Sequence, residues 1–422
     1  MISTNKHIES SRDLRPITKR PTNSWILPFI EFVDTDPSNS LDKPIRIGHL
    51  DTGIHGEAKD ILGRLDSFVA FNENGVLEEN PNYEDAAGHG TRIASLLVSQ
   101  SRSRMYIGVA PEAKLVSAKV LEGGATVIRI LKGLNWLADQ KVPIALFCVG
   151  LPNKNPVFSI LLQQLRAENI LAICSIGNAG NGYFFQPGDD PSVLSVGAID
   201  KKSKVPKFSG SRRGQFSTEV LAPDILAPGV AVPCATKSGG RAPFNGTSMA
   251  AAIVAGVAAK LLAAEPESTA DQLYDALCYG SGHLSAENKK HARCGILNFR
   301  KALEYLKKHK NEKPKPRPIR PVLEDAGWRD TRLMYRLAHA KSNELVVAIY
   351  IWGLNITVEN WEEKARSFID KTIPESLFVK TELLPRGRAI IISSQPKSHS
   401  LLLSSNEIIY ASAADAGRAL LK

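Results

Sequence analysis

Three short segments of the chain carry side chains able to do acyl-transfer chemistry. Asp51-Thr52-Gly53 follows directly on the apolar run Ile45–Leu50. A carboxylate at the C-terminal end of a buried parallel strand stands where α/β sheets put functional groups, although the same tripeptide also suits a turn. Gly88-His89-Gly90-Thr91 leads into the apolar stretch Ile93–Val98. Flanking glycines let backbone approach the imidazole closely, with a capping or loop histidine as the alternative reading. Asn245-Gly246-Thr247-Ser248-Met249-Ala250 opens the small-residue run Ala251–Ala259, which reads as a helix buried on all sides. Ser248 stands at its N-terminal end, where the dipole and free N–H groups favour developing negative charge; a plain N-cap is the alternative.

One reaction needs all three groups. Serine attack on an acyl carbon requires a base to take the hydroxyl proton, and a carboxylate to orient that base and stabilise its cation. The chain order Asp, His, Ser is also that of one known arrangement of this triad. With these motifs the chain resembles the subtilisin-like serine peptidases, or subtilases, from about Trp25 to Tyr305. Further matching text is Gly108-Val109-Ala110-Pro111, Val193–Ala198, Leu226-Ala227-Pro228-Gly229 and Gly295-Ile296-Leu297-Asn298.

The resemblance implies a fourth group, Asn178 in Ser175-Ile176-Gly177-Asn178, as an oxyanion donor beside the Ser248 N–H. It also implies that Cys148-Val149-Gly150 and, on the opposite edge, Gly123-Gly124 pair with an extended protein or peptide substrate. The chain departs from the family pattern in several places. Cys148 stands where serine is usual, the Gly180–Pro187 loop is shorter, and Ala252 replaces a proline after the nucleophile. Pocket shape is therefore not carried over, and Cys148 and Cys174 read as buried, inert thiols near the site. Gln100–Arg104 matches a loop that binds calcium in many relatives, but Arg102 and Arg104 would repel a dication, so no metal is expected there. No cofactor is implied.

The elements that must position these groups alternate along the chain. Strand candidates are Ile45–Leu50, Leu115–Val120, Ile144–Gly150, Ile170–Ile176 and Val193–Val196. Helical periodicity covers Thr91–Val98, Thr126–Lys141 and Val157–Glu168. Such alternation predicts an α/β fold with a mostly parallel sheet, and the resemblance makes it the subtilisin-like three-layer fold. The expected organisation is a tail (1–24), a catalytic domain (25–305), a basic Pro-rich linker (306–321) and a small α+β domain (322–422). In the last of these, strands are expected at Glu344–Trp352, Leu377–Glu382 and Arg388–Ile392, with helices at Val358–Asp370 and Ala413–Leu421.

Charge sharpens this division. The net charge of +10 is unevenly spread, with residues 1–305 carrying nearly balanced charge while Leu306–Arg320 is strongly basic. That run cannot bury a core and reads as a solvated tether, with an acidic surface or nucleic acid as alternative partners. The Lys201–Arg213 cluster reads as a loop. With 422 residues, 43% hydrophobic and 23% charged, the chain has the composition of a globular protein. Five cysteines without CxxC spacing argue against a disulfide scaffold or zinc module. Met1–Arg20 has no apolar signal region and the longest apolar runs fall short of a membrane span, so the expected location is cytoplasmic. The roughly 24 residues before the resemblance are too few for an independent core, so folding is expected to need no large cleaved N-terminal domain. The expected function is an intracellular serine endopeptidase restrained or directed by residues 322–422 or a partner. The alternatives are an inactive peptide-binding scaffold or an adaptor built around the C-terminal domain.

Overall fold

The computed structural model describes residues 25–32, 44–72, 75–78, 81–99, 108–121, 126–151, 156–213, 220–236 and 240–315. It also describes the backbone of 331–340, 344–353, 378–384, 387–393 and 409–410. In chain order come α1 (Ile26–Phe29), β1 (Arg46–Asp51), α2 (Lys59–Leu62), β2 (Leu65–Ala70), α3 (His89–Val98) and β3 (Lys114–Lys119). Next are α4 (Thr126–Asp139), β4 (Ile144–Phe147), α5 (Pro156–Ala167), β5 (Leu171–Ser175), β6 (Leu194–Ile199) and β7 (Arg212–Arg213). Then follow β8 (Val220–Ala222), β9 (Ile225–Pro228), β10 (Val232–Ala235), β11 (Arg241–Phe244) and α6 (Thr247–Ala264). The set ends with α7 (Ala270–Tyr279), β12 (Gly295–Ile296) and α8 (Phe299–His309).

Eight strands form one sheet in the order β12-β9-β6-β5-β4-β1-β3-β2, and every pairing in it is parallel. Its central strands are buried on both faces, as parallel sheets covered by helices must be. The strand period of two divides their side chains between two cores. Ile47, Ile144, Leu146, Leu171 and Ile173 pack with α3, α6, α7 and α8 on one face. Leu50, Val116, Ala145, Phe147 and Ala172 pack with α4 and α5 on the other. This is the three-layer α/β arrangement expected from the alternation, and the strand bounds fall within a residue or a few of those expected. The strand expected to run to Gly150 stops at Phe147, so Cys148–Gly150 lie beyond the ladder.

The small-residue helix α6 fills the centre of one face. It is buried from Thr247 to Leu262 and packs against β4, β5, β6, β9 and α3. It is long and apolar enough to cross a bilayer, but its apolar surface is spent inside the protein. The sheet order reverses between β1 and β4, so their carboxyl ends form a crevice of the kind in which open α/β sheets bind ligands.

The boundary at Tyr305 is corrected by the structure, because α8 continues through it to His309. Phe299, Ala302 and Leu306 form its buried stripe, so the residue read as the first of the linker closes an apolar face. Lys307, Lys308 and His309 sit at the carboxyl end, where the helix dipole favours positive charge. Beyond it the chain stays docked as far as Lys315. The Lys315 N–H donates to Asp275 Oδ2 at 2.6 Å, and its ammonium lies 3.9 Å from the Tyr279 ring centre. As far as Lys315 the basic run is thus a helix end followed by a docked strap.

After residue 330 the described backbone forms one antiparallel sheet of β13 (Thr331–Ala340), β14 (Glu344–Gly353), β15 (Phe378–Leu384), β16 (Gly387–Ser393) and β17 (Ile409–Tyr410). Their order is β15-β16-β14-β13-β17. Three of these strands match the expected ones; β13, paired with β14 along its whole length, and the short β17 were not anticipated. The helices expected at Val358–Asp370 and Ala413–Leu421, like the tail 1–24, lie outside the described residues.

The start of α8 depends on one side chain. Asn298 Oδ1 accepts the Lys301 N–H at 3.0 Å and caps the helix. Asn298→Ala is expected to lower stability by about 1 kcal/mol, read as a lower urea midpoint with unchanged slope.

Candidate active site

Asp51 is the last residue of β1 and is completely buried. Its Oδ1 accepts the Thr52 N–H at 2.7 Å and lies 2.7 Å from His89 Nδ1. Burial pushes this carboxyl upward. The charge of His89 and its hydrogen bond, with His49 and the Thr52 N–H, outweigh that effect and hold it below the usual range. The tripeptide therefore does make the turn contact considered from sequence, but the same oxygen also orients an imidazole.

His89 is the first residue of α3, and the helix cap is Gly88, in the left-handed region with φ 68°. Its flanking glycine has a different use from the one expected. A Cβ on Gly90 would strike the Gly53 carbonyl, so the glycine lets the two motifs touch backbone to backbone.

A residue missed at the sequence level holds these segments together. Asp85, 1% exposed, accepts the Thr52 hydroxyl at 2.7 Å and the Gly88 N–H at 2.7 Å through Oδ1. Its Oδ2 accepts the Thr91 N–H at 2.7 Å and the Thr91 hydroxyl at 2.6 Å. One carboxylate thus fixes the residue after Asp51 and both sides of His89. An acidic residue four positions before the histidine was the only signal for it.

Ser248 is the second residue of α6, and Gly246 is the cap, so the plain N-cap reading fails. Asn178 joins it by a specific route. Asn178 Oδ1 accepts the Thr247 N–H at 2.9 Å and the Thr247 hydroxyl at 3.0 Å. Among the described residues, Asn178 Nδ2 and the Ser248 N–H have no protein partner. Two donors are therefore left free at one helix N-terminus, which suits them to a developing oxyanion. Also among the described residues, the Ser248 hydroxyl makes no hydrogen bond to His89. That leg of a catalytic array is often long without substrate.

Cys148 lies under the nucleophile position, donating its thiol to the Ser248 carbonyl at 3.5 Å. Burial, then the charge of Asp51, pushes this thiol well above its ordinary value, and burial does the same to Cys174. Both are buried, the surroundings in which a thiol resists ionisation. Val149 is buried and Gly150 exposed on the same segment. Facing them, the Phe185 ring sits against both Gly150 and Gly177, so that a Cβ on either would run into it. Phe185 packs against this segment, a contact that the shorter loop hid from sequence reasoning. Gly123, Gly124 and the Gln100–Arg104 loop lie outside the described residues.

The geometry around Asp85 yields a test. Four donors point at its two oxygens, and an amide nitrogen cannot accept. Asp85→Asn is expected to cost about 2–3 kcal/mol, close to the cost of Asp85→Ala, as measured by urea unfolding.

Comparison with known proteins agrees with this arrangement. A model of the subtilase family matches residues 42–295. Alkaline elastase YaB of Bacillus sp. (strain YaB) is 32% identical over 284 residues, 64% of this chain and 71% of the elastase. Subtilisin E of Bacillus subtilis (strain 168) is 29% identical over 264 residues, 58% of this chain and 65% of its own. Among solved structures, the S41 psychrophilic protease superposes with a TM-score of 0.54 at 24% identity, covering 60% of this chain and 90% of that one. The prenylagaramide maturation protease PagA gives 0.52 at 24%, covering 64% and 96%. The two structural likenesses speak for the fold, and the family match spans all three motifs. The chain belongs to the subtilase family.

Proposed function

We propose that this chain is an active serine endopeptidase that works inside the cell and is restrained or directed by its C-terminal region or by a partner. The observation that carries the catalytic part is the buried 2.7 Å bond between Asp51 and His89, set beside a helix N-terminus that presents Ser248 and two free donors. In this reading Ser248 Oγ attacks the scissile carbonyl and His89 Nε2 takes its proton. Asp51 keeps the imidazole in the Nδ1–H form and stabilises the cation. Asn178 Nδ2 and the Ser248 N–H receive the oxyanion, and His89 then returns the proton to the leaving amine. Water reverses the steps on the acyl-enzyme. Cys148–Gly150 and Gly123-Gly124 would line an extended substrate.

A peptide-binding scaffold is the second reading, favoured by the missing hydrogen bond between Ser248 and His89. The free oxyanion donors weigh against it. A fluorophosphonate probe separates the two. Labelling that vanishes in Ser248→Ala, with turnover about 10²–10³-fold lower in Asn178→Ala, is the expected result. No labelling of the native chain at any pH would leave the scaffold.

The intracellular part rests on the cysteines. All five are unpaired thiols, although Cys278 and Cys294 are neighbours, which suits a reducing compartment. The regulatory part rests on the basic strap and the separate sheet after residue 330. A truncation must end at Lys315, because one ending at Tyr305 would cut α8 and remove the buried Leu306. A chain ending at Lys315 is expected to keep its rate on a small chromogenic peptide and to lose roughly tenfold on its protein substrate, as recruitment by a tethered module predicts. A faster rate on the peptide would instead show masking, and no change on either substrate would remove the C-terminal region from control.

A further inference from the structure

A buried histidine outside the three motifs faces the second oxygen of Asp51. His49 lies two residues earlier on β1, and the strand period puts both side chains on the same face. It is 0% exposed, in a strand position that an aliphatic side chain would otherwise fill. Its Nδ1 lies 3.0 Å from the hydroxyl of Ser117, the residue in register with it on β3. Its Nε2 lies 3.7 Å from Asp51 Oδ2, and among the described residues neither of these two buried atoms has any other partner. That separation exceeds a hydrogen bond by about 0.5–0.7 Å.

Two orphaned buried polar atoms this close constrain each other. Were the proton on Nδ1, the Nε2 lone pair would point at a carboxylate oxygen, and both would be left buried and unsatisfied. With the proton on Nε2, the Ser117 hydroxyl donates to Nδ1 and the ring presents N–H to Oδ2. We infer that His49 is a positioning residue of the active site, whose Nε2–H is directed at Asp51 Oδ2 and keeps that carboxylate ionised and correctly rotated while Oδ1 holds His89. The inference rests on the serine peptidase reading above.

The groups around His49 support a neutral ring. Facing it are Asp51 on its own strand, His89 at the start of α3 and Asp85 in the preceding loop. The Asp51 charge also reaches Arg92 on α3 and Cys148 beyond β4. Burial pushes His49 below its ordinary value, Asp51 pulls it back, His89 lowers it further and Asp85 raises it. A neutral donor adds no charge to the Asp51–His89 couple but favours the ionised carboxylate. Removing it leaves Oδ2 buried and bare, so the Asp51 carboxylate becomes more basic and the Asp51–His89 couple binds a proton more tightly. The acid side of the rate profile reports that couple and must then move to higher pH.

The experiment follows the rate of Ser248 labelling by a fluorophosphonate in the full chain, for the native protein, His49→Val and His49→Gln. Val fills the space without a donor, whereas the Gln amide nitrogen reaches the place of Nε2. The expected result is an acid limb displaced upward by about 0.5–1 pH unit in His49→Val, with labelling roughly three- to tenfold slower on that limb. His49→Gln is expected to restore the native limb. A purely structural His49 would lower thermal stability in both variants and leave the limbs coincident, which would overturn the inference. So would a Gln variant displaced as far as the Val one. Selective ¹⁵N labelling of the imidazoles in the native chain gives a second readout that needs no variant to fold. Protonation at Nε2 of His49 supports the assignment and protonation at Nδ1 overturns it. A native chain that never labels would sink the peptidase reading itself, with the nitrogen shifts still deciding the state of His49.

Discussion

An ionised carboxylate with no exposure to water is the constraint on which the rest of this domain turns. Moving such a group out of solvent costs several kcal/mol unless hydrogen bonds and opposite charge replace the water. Asp51 is in that position, at the carboxyl end of the central strand. Its compensation comes from the Thr52 N–H, the His89 imidazole and the nearby His49 ring, drawn from two elements far apart in the chain. Any shift of α3 relative to β1 would leave the charge bare, so the position of the imidazole and the stability of the buried carboxylate are one problem.

The surrounding structure reads as the solution to that problem. Asp85 ties the start of α3 to the turn after β1 with four hydrogen bonds, and the facing glycines Gly53 and Gly90 let the two backbones meet. Beneath them α6 brings a different kind of order. Its small side chains allow close approach to the sheet, and a Cβ on Gly256 would strike Val109. A helix packed that tightly has little freedom to slide, so its N-terminal residues are held where the Asn178 side chain can clasp Thr247. The charged part of the site is fixed by hydrogen bonds and the neutral part by close packing.

The two ends of the domain meet on the opposite side from the α4 and α5 layer. The Ile30 carbonyl accepts the Phe299 N–H at 2.7 Å, and the Phe32 and Phe299 rings lie 4.8 Å apart. From there α8 and the strap to Lys315 carry the chain away along α7. Dense positive charge therefore coexists with ordered structure here. The charges sit on the solvent side of an amphipathic helix and on a strap held by aromatic faces and Asp275, so the apolar stripe and the basic run do not compete.

Short-range pattern was enough to settle much of this from sequence. Runs of β-branched and apolar residues alternating with helical periods dictate a parallel sheet between helix layers, because each strand buried on both faces needs helices above and below it. The three motifs were legible for the same reason: each is contiguous, and each falls at a strand end or a helix start. What the tertiary structure alone decided are the contacts that cross elements. Asp85 and Phe185 act on partners on other elements or on the far side of a loop, and His49, two residues before Asp51 on the same strand, takes its second partner, Ser117, from β3. The end of α8 escaped because its last turns are basic, and composition spoke for solvent while a single buried Leu306 decided for packing. Local sequence carries propensity and burial, but only closure of the fold brings two polar atoms within a few ångströms and determines which of them must satisfy the other.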